Sequence, residues 1–502
     1  MFGLVRDQGI AHLFGAGAES DAFLVAWTVP EVAATVLIED AMALLMVPAF
    51  SGALARGGGV CALVRGTLPR LLALLGVLTA LLVAGAPWVV RGLAPGLADP
   101  SAAVGCTRLT AVSVLTFGLA GYLSAALRAH CRFLPPAAIY VAYNAGIVAT
   151  LYALHGRYGV RAAAAGVAVG GLLMVVIQLP SAARELRAHR PRLATQAAHR
   201  PVPAAAPRTA PRAPHAPGRA VGLALLAPIV LFTLSRQAQV LIERFFAAPL
   251  PAGAISHLNY AQKVAQLPMS ISVMICTVTF PALSRALAEG DRDQARRRVE
   301  RDLALACVLV LVGTAYVIAC APQIIELLFQ RGEFTAADTA ATAAVMRVYA
   351  LGLLGQSLVG TLVRPYFSAA SPTWYPAASM AAGLLVTAVA DAAAVGPWGA
   401  YGIAAGNAAG ITVTAGLLLR GLGTRTVAIR ARALAPGLTR TSLCAAVAAL
   451  SGWQSATRMP GALSAAVVCG LVVPAAFAAT AVTVRVPELP YLLATVTRKA
   501  RR

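Results

Sequence analysis

The sequence has few charged residues. Only 12% of its 502 residues are Asp, Glu, Lys or Arg, about half the share that is usual in soluble domains. Acidic residues are scarcer still, with 19 Asp and Glu against 41 Lys and Arg. Apolar runs of about 20 residues instead recur along almost the whole chain. These proportions exclude an ordinary soluble enzyme and predict a polytopic membrane protein.

The chain also lacks the short motifs of common catalytic and nucleotide-binding sites. It contains no HExxH, no GxSxG and no P-loop, and its seven histidines do not cluster. Its eight cysteines form no CxxC pair and lie mostly in apolar runs, where cysteine usually packs as a small apolar side chain. We therefore expect a protein that is not an enzyme and that binds no metal and no cofactor.

The apolar runs predict an all-α fold with about fourteen transmembrane helices. An apolar stub at 1–15 is followed by spans at 21–50, 70–90, 106–127, 135–154, 160–180, 220–242, 254–282, 302–325, 338–363, 374–395, 398–419, 437–453 and 461–484. The loops between them are alternately rich and poor in arginine, a pattern that places both termini in the cytoplasm. The net charge of +22 is explained by this topology, and we expect no nucleic-acid partner.

A basic, proline-rich segment at 181–218 divides the chain. It holds seven prolines and almost no large apolar side chains, so we expect a disordered cytoplasmic linker. PAFSGALARG at 48–57 matches PALSRALAEG at 281–290 in seven of ten positions, each time at the end of a lobe's second span. This repeat predicts two related six-helix lobes at 1–180 and 219–420, followed by two extra helices and a basic tail at 421–502, which is a plan typical of transporters.

Ionisable residues inside the apolar spans are the candidate functional residues. Each costs about 2.5–3.5 kcal/mol at the centre of a bilayer, so it needs a cavity, a partner or the interface. The candidates are Arg6, Asp7, Asp21 and Glu39 in the first two spans, and Arg236, Glu243, Lys263 and Asp391 in the second half. Cations at matching places in two lobes suit an anion such as a pyrophosphate group. Acids beside them can hold the cations in place or bind a coupling cation. Glu31, Arg244 and Arg364, nearer span ends, are expected to extend toward the interface.

Several longer segments resemble the MurJ (MviN) family of lipid II flippases. They are VRDQGIAHLFGAGAESDAFLVAWTVP at 5–30, NYAQKVAQLP at 259–268 with FPALSRAL at 280–287, LLFQRGEFTAADT at 327–339 and PYFSAASPTWYP at 365–376. The resemblance implies two lobes around a cationic cavity, two final helices beside a lipid-tail groove, and a site in the bacterial cytoplasmic membrane. The implied substrate is undecaprenyl-pyrophosphate carrying the peptidoglycan disaccharide-pentapeptide, moved outward with help from the membrane potential or a cation, Na⁺ or H⁺.

The resemblance implies substrate-binding roles for Arg6, Asp7, Asp21, Glu39 and Lys263. Arg236, Glu243 and Asp391 remain candidates for the cavity or for ion coupling. Lys263 stands where the family usually has arginine, so it keeps the charge but loses the planar fork that grips phosphate.

Two departures from the family pattern concern missing arginines. Ala34 replaces a second-helix arginine. The arginine of the family's S-R-x-x-G pattern would precede Met1, and we expect a misplaced start codon or a truncated first helix, since 15 residues span only about 22 Å.

Three other interpretations stay open. The chain could flip another polyprenyl-linked glycan, or export drugs by cation coupling on the same fold. From a different class, it could be a membrane scaffold for cell-wall synthesis proteins that dock on 181–218, although such basic linkers more often contact membrane lipids. A drug exporter predicts acids without phosphate-facing cations, which Arg6 and Lys263 argue against.

Overall fold

The computed structural model describes residues 2–55, 60–188, 219–270, 292–368, 373–425 and 431–484, which are almost entirely helical. The first half contains α1 (Phe2–Phe14), α2 (Ala18–Ala33), a π-helical segment (Ala34–Met46), α3 (Val47–Ala55), α4 (Val60–Leu93), α5 (Pro100–Ala129), α6 (Leu134–Tyr158), α7 (Arg161–Val176) and α8 (Leu179–Ala188). The second half contains α9 (Arg219–Ala247), α10 (Ala254–Ala265), α11 (Arg292–Phe329), α12 (Ala336–Leu351), α13 (Leu353–Ser368), α14 (Tyr375–Trp398), α15 (Ala400–Arg425), α16 (Ala431–Ala456) and α17 (Ala462–Thr483).

This architecture confirms the predicted fold class. Within the described ranges, nine helices are long and apolar enough to cross a membrane, or ten if the bent pair Ala336–Leu351 and Leu353–Val363 counts as one span. Every predicted span overlaps at least one helix. Helices are expected here because the bilayer offers no water to the backbone, so each N–H and C=O must be paired inside its own segment.

Successive spans run in opposite directions, which gives the bundle two ends. We call the end where α8 stops and α9 begins the linker end. The opposite end, which holds the turns at 15–17, 248–253 and 330–335, is called the far end. Helices α1, α4, α6, α9 and α11 all finish at the far end.

The two halves share a packing device between their fifth and sixth spans. In the first half, a Cβ on Gly146 of α6 would stand 2.9 Å from the Cα of Gly170 on α7. In the second half, a Cβ on Gly383 of α14 would stand 2.7 Å from the carbonyl oxygen of Gly410 on α15. Small residues let membrane helices approach closely without a hydrophobic driving force between them. The same contact in corresponding helix pairs agrees with two related lobes.

The last two helices pack against the outside of the second half. A Cβ on Gly452 of α16 would stand 2.9 Å from the Cβ of Ala319 on α11. The thiol of Cys469 on α17 donates to the carbonyl oxygen of Gly452 at 3.1 Å. Helix α16 thus packs on α11, and α17 packs on α16, which is the place expected for two extra helices after the second lobe.

The predicted linker differs from the structure in its first eight residues. Helix α8 continues to Ala188, and Glu185 on it accepts an ion-pair hydrogen bond from Arg132 at 2.9 Å. Helix α8 continues beyond the predicted apolar span at 160–180 because its sequence is amphipathic. Some predicted features lie outside the described part of the chain: residues 189–218, the repeat segment at 281–290, the tail at 485–502 and the side chain of Arg364.

Candidate functional site

Two cations from distant parts of the chain meet at one carboxylate. Arg6 and Asp7 lie side by side on α1, and Lys263 lies on α10. The Asp7 Oδ1 accepts from the Arg6 Nη2 at 2.7 Å and from its Nε at 2.9 Å, while the Lys263 Nζ lies 2.9 Å from Asp7 Oδ2. We call these three residues the cation cluster. Since two positive charges share one negative charge, the cluster keeps a net charge of +1.

The two cations differ in their access to a ligand. The Arg6 guanidinium lies 4.0 Å from the ring centroid of Trp27 on α2, and its side chain is only 7% exposed. Such cation–π contacts hold a desolvated guanidinium in place. The Lys263 side chain is 26% exposed, although its ammonium nitrogen is buried against Asp7. An anion can therefore approach the cluster along the Lys263 side chain rather than past Arg6.

Asp21, for which the resemblance implies a substrate-binding role, does not contact the cation cluster. Its carboxylate accepts from the backbone N–H of Gly253 at 2.7 Å and of Ser256 at 2.8 Å, and from the Ser256 hydroxyl at 2.6 Å. These are the free donors at the amino terminus of α10. A carboxylate there satisfies unpaired N–H groups and the helix dipole. Asp21 thus supplies, from α2, the cap of a helix in the other half.

The backbone around this contact leaves no room for a side chain. Gly253 has a φ of +97°, and a Cβ there would stand 2.5 Å from the carbonyl oxygen of Ala16. Its lack of a Cβ allows both the positive φ and the approach of α10 to the α1–α2 turn. We call the contact of Asp21 with Gly253 and Ser256 the interhelix cap.

A second set of contacts joins the halves at the far end. Gln8 on α1 donates to the carbonyl oxygen of Leu328 on α11 at 2.9 Å. The N–H of Glu333, in the following turn, donates to the carbonyl oxygen of His12 at 3.0 Å. Together with the interhelix cap, these bonds close the two halves against each other at the far end.

A second group of acids lies inside the second half. Glu243 on α9 is 3% exposed. Its carboxylate accepts from the hydroxyl of Tyr349 at 3.1 Å, from the amide of Gln262 at 3.4 Å and from the amide of Asn407. The donors come from α12, α10 and α15. Glu243 therefore ties four helices of the second half together.

Asp391 on α14 is fully buried, and within the described ranges neither of its carboxylate oxygens has a hydrogen-bond partner. Gly406 on α15 packs directly against one of these oxygens, and Asp391 is close enough to Glu243 for their charges to interact. The carbonyl oxygen of the Asn407 side chain is also unpaired. A buried carboxylate without a partner is unstable as an anion, so it must carry a proton or hold a cation. We call Glu243, Asp391 and Asn407 the acid pair site.

The oxygen atoms of the acid pair site suit a proton or a hard monovalent cation. Hard cations prefer carboxylate and amide oxygens over nitrogen and sulfur ligands. In the described part of the chain, no group of three or more His, Cys, Asp or Glu residues could hold a metal ion.

The remaining charged candidates are Glu39, Arg236 and Arg244. Glu39 is exposed and accepts from the Tyr140 hydroxyl at 2.9 Å. Arg236 lies exposed on α9. The prediction that Arg244 extends to the interface is wrong. Arg244 is only 3% exposed, and its guanidinium donates to the side chain of Asn259 at 3.2 Å.

Sequence analysis missed several residues that complete these sites. Trp27, Ser256 and Asn407 touch Arg6, Asp21 and Glu243 from other helices. Asn407 had a usable signal, since a lone amide inside an apolar span is costly and needs a partner. Trp27 and Ser256 had none, because an aromatic or a serine in a membrane helix is common.

Comparisons with known proteins agree with this geometry. The sequence profile of the family described as "Lipid II flippase MurJ" matches residues 10–472. A protein named lipid II flippase MurJ from Burkholderia cenocepacia is 28% identical over 375 residues, which are 73% of this chain and 70% of that protein. A probable lipid II flippase MurJ from Vibrio cholerae is 25% identical over 446 residues, 84% of this chain and 80% of that protein.

Solved structures show the same fold. A lipid II flippase MurJ in an inward closed conformation has a TM-score of 0.75 at 19% identity, with 96% of each chain covered. An inward-facing multidrug resistance transporter of the MATE family, in the MOP superfamily, has a TM-score of 0.67 at 12% identity, with 88% of this chain and 95% of that chain covered. Both likenesses describe the arrangement of helices.

Proposed function

Because the chain belongs to the Lipid II flippase MurJ family, we propose that it moves lipid II from the inner to the outer leaflet of the bacterial cytoplasmic membrane. The family is one of transporters, and the chain is a multi-pass membrane protein. The observation that supports the substrate most directly is the cation cluster, in which Arg6, Asp7 and Lys263 join α1 to α10. Two cations held close together suit a lipid that carries a pyrophosphate.

The cluster works by exchanging one carboxylate for another anion. Asp7 holds Arg6 and Lys263 near each other while no substrate is present, which lowers the cost of burying two cations. The pyrophosphate approaches along the Lys263 side chain, which is more exposed than that of Arg6. It then competes with Asp7 for both cations, because its oxygens accept several charge-assisted hydrogen bonds. Arg6 stays in position through its contact with Trp27.

The interhelix cap sets which side of the membrane the cluster faces. We place the linker end in the cytoplasm, because arginine gathers in the loops at that end. With the cap of Asp21 on α10 formed, the far end is closed and the cluster is reached from the cytoplasm. Outward release requires this cap to break and the two halves to rock apart, as in other transporters with paired lobes.

The acid pair site is the proposed point of energy coupling. One proton or Na⁺ shared by Glu243 and Asp391 lowers their joint charge from −2 to −1, and so removes the cost of holding both buried carboxylates as anions. Gln262 and Lys263 are neighbours on α10, and Gln262 donates to Glu243 at 3.4 Å. A change of charge at Glu243 therefore acts on the helix that carries Lys263. The membrane potential adds to this drive by acting on the charges that cross with the lipid.

Complementation tests the proposed substrate. Cells depleted of their own lipid II flippase would receive the chain or one of three variants, and outer-leaflet lipid II would be scored at equal membrane abundance. We expect Lys263→Ala to lose rescue and Lys263→Arg to keep it, since arginine retains the charge. Arg157→Ala is the matched control, because Arg157 is an exposed cation at the far end. Failure of the unaltered chain, stably inserted, would favour another polyprenyl-linked glycan.

A separate measurement tests the coupling. Lipid II translocation would be followed in proteoliposomes with an imposed Na⁺ gradient, an imposed pH gradient or a membrane potential alone. We expect Asp391→Asn to abolish the response to one of the two ion gradients while lipid II binding persists. An unchanged response to both gradients would remove the acid pair site from the mechanism.

Recruitment of cell-wall synthesis proteins or of anionic membrane lipids is a further part of the proposal. The basic residues of the 181–218 linker support it, since such segments bind acidic surfaces. Deletion of 189–218 tests the idea. If the deletion abolishes recruitment of cell-wall proteins or anionic lipids while lipid II translocation continues, the segment binds these partners. If recruitment persists, the segment has no role in it.

A further inference from the structure

Tyr260 on α10 carries a buried hydroxyl that has no partner. Its side chain is fully buried, and among the described residues its hydroxyl forms no hydrogen bond. An unpaired hydroxyl in an apolar interior costs free energy, and phenylalanine at the same place would avoid that cost. A polar group held under these conditions calls for a use in another arrangement of the protein.

Tyr260 lies between the two features that join the halves through α10. Ser256, Tyr260 and Lys263 are spaced four and three residues apart, so they lie on one face of the helix. Ser256 belongs to the interhelix cap and Lys263 to the cation cluster. Tyr260 stands six residues after the start of α10, and Asp7 stands seven residues before the end of α1. Both therefore lie about 10 Å below the far end at 1.5 Å per residue, close enough for the charge of Asp7 to act on the Tyr260 hydroxyl.

Asp7 has an acceptor position to offer this hydroxyl. One of its carboxylate oxygens, Oδ1, accepts two hydrogen bonds from Arg6. The other, Oδ2, lies 2.9 Å from the Lys263 ammonium, but among the described residues neither atom has a partner with hydrogen-bond geometry. The contact with Lys263 is thus chiefly an attraction between charges, which a phosphate ligand with several oxygens can take over. Oδ2 is then left buried and unpaired near a hydroxyl in the same condition.

The ring of Tyr260 connects this point to the contacts that close the far end. It stacks on Phe329, at the end of α11, with the centroids 5.0 Å apart, and meets Phe334 in the following turn at 6.0 Å. All three side chains are buried. The same stretch, 328–334, holds the two hydrogen bonds that tie α1 to the end of α11 and to the turn after it. Since stacked rings stabilise a contact beyond the area that they bury, a Tyr260 ring that leaves the stack loosens this closure.

We propose that Tyr260 couples the filling of the cation cluster to the opening of the far end. An anion that takes Lys263 from Asp7 leaves Oδ2 unpaired, and the Tyr260 hydroxyl then donates to it. To do so the ring turns out of its stack with Phe329, which weakens the contacts that keep the far end closed. Tyr260 is a positioning residue, because it acts through Asp7 and does not touch the lipid. This coupling rests on the proposed function, in which the pyrophosphate of lipid II is that anion.

Such a coupling gives transport the order of steps that it needs. A ligand shifts a conformational equilibrium only through interactions that differ between the two states. The hydrogen bond from Tyr260 to Asp7 is an interaction of this kind, since it is absent from the closed structure and forms once Lys263 has moved to the lipid. An empty cluster leaves the ring stacked and the far end closed, whereas a filled cluster favours opening.

Spin labels on the full chain test the coupling without any lipid II. Arg157→Cys and Trp398→Cys, in a form without native cysteines, place one label on each half at the exposed far end, so a longer distance marks opening. Lys263→Met removes the cation from Asp7 and brings no donor in its place. We expect Lys263→Met to raise the ratio of open to closed molecules at least about tenfold, the factor for one hydrogen bond to a charged group. The rise should vanish when Tyr260→Phe is also present. An equal rise with and without the hydroxyl, or no rise in either form, would overturn the proposal.

Purified lipid II supplies the second arm, with binding and distances measured on the same nanodisc samples. We expect Tyr260→Phe still to bind lipid II, since Arg6 and Lys263 are intact. Its ratio of open to closed molecules at saturating lipid II should be at least about tenfold below that of the parent. If lipid II opens both forms equally, the coupling is refuted while the proposed function stands. If lipid II binds neither form but the Lys263→Met result holds, the proposed substrate is wrong while the coupling stands.

A matched control separates this role from a purely structural one. Tyr122 on α5 is also buried, but its hydroxyl shares a hydrogen bond of 2.8 Å with that of Thr67. Tyr122→Phe should therefore lower the Tm and leave the response to Lys263→Met unchanged. Tyr260→Phe should do the reverse, with a Tm that is unchanged or higher, because the hydroxyl that it removes has no partner in the closed structure. An equal fall in Tm for both variants would assign the Tyr260 hydroxyl to the stability of the closed protein and refute the proposal.

Discussion

Removal of the Asp21 carboxylate should open the far end of the bundle. In the structure this buried group accepts three hydrogen bonds of 2.6–2.8 Å from the start of α10. Hydrogen bonds to a charged group contribute about 1.5–3 kcal/mol each. In the open arrangement the same groups would be hydrated, so we expect Asp21→Ala to disfavour the closed arrangement by about 3 kcal/mol in total. At about 1.4 kcal/mol per factor of ten, the ratio of closed to open molecules falls about a hundredfold.

Distance measurements between two spin labels would detect this shift. Cysteines introduced at Arg157, at the end of α6, and at Trp398, at the end of α14, place one label on each half at the exposed far end. The native cysteines would be replaced first. We expect a single short distance in the parent and an added longer distance in Asp21→Ala, with Asp21→Asn intermediate because it keeps one acceptor oxygen.

Asp99→Ala is the matched control. Asp99 also caps a helix at the far end, through its acceptance of the Ala102 N–H at 2.9 Å, but both partners belong to the first half. Its removal should lower thermal stability by the cost of one cap, about 1 kcal/mol, and leave the interlabel distance unchanged. An unchanged distance distribution in Asp21→Ala, or an equal change in both variants, would refute the role of the interhelix cap.

Two further predictions concern the same end of the bundle. Gly332 has a φ of +64° and lies against the backbone of His12, so Gly332→Ala should lower the Tm. Gly66→Ala is the control: its new methyl group would meet open space inside a helix, so the Tm should rise slightly. Equal shifts in Tm for the two variants would contradict this expectation. The backbone N–H of Ala102 holds the pKa of Asp99 below its ordinary value. The stabilisation that the ionised Asp99 carboxylate contributes is therefore full above the ordinary aspartate pKa and is lost as the pH falls through the lowered pKa of the folded state. The difference in Tm between the unaltered chain and Asp99→Asn should then shrink toward about pH 3. A difference in Tm that stays constant with pH would argue against the cap.

Prediction from sequence was strongest where one segment determines the outcome alone. A run of 20 apolar residues must form a helix in a bilayer whatever its neighbours are, and each predicted span overlaps a helix in the structure. The pairing of Arg6 and Lys263 around Asp7 was also within reach, since a buried charge needs a partner and few candidates exist.

Prediction failed where the partner was a backbone group or a distant neutral side chain. The resemblance implies a substrate-binding role for Asp21, but its carboxylate caps α10 through Gly253 and Ser256. Free N–H groups occur at the start of every helix, so nothing in the sequence marks the one that a given carboxylate meets. Arg244 was assigned to the interface for its position in a span, whereas its burial depends on how α9 and α10 pack.

The sequence by itself thus determined that this protein is an all-α membrane protein of two related halves with buried charges, because apolar length and the cost of intramembrane charge are local properties. Only the tertiary structure decided which charges meet: Asp7 with two cations, Asp21 with a helix terminus, Glu243 beside Asp391. It also decided that an apolar groove lies between α2, α4 and α9. Those features depend on the rotation and separation of helices hundreds of residues apart, which no single segment specifies.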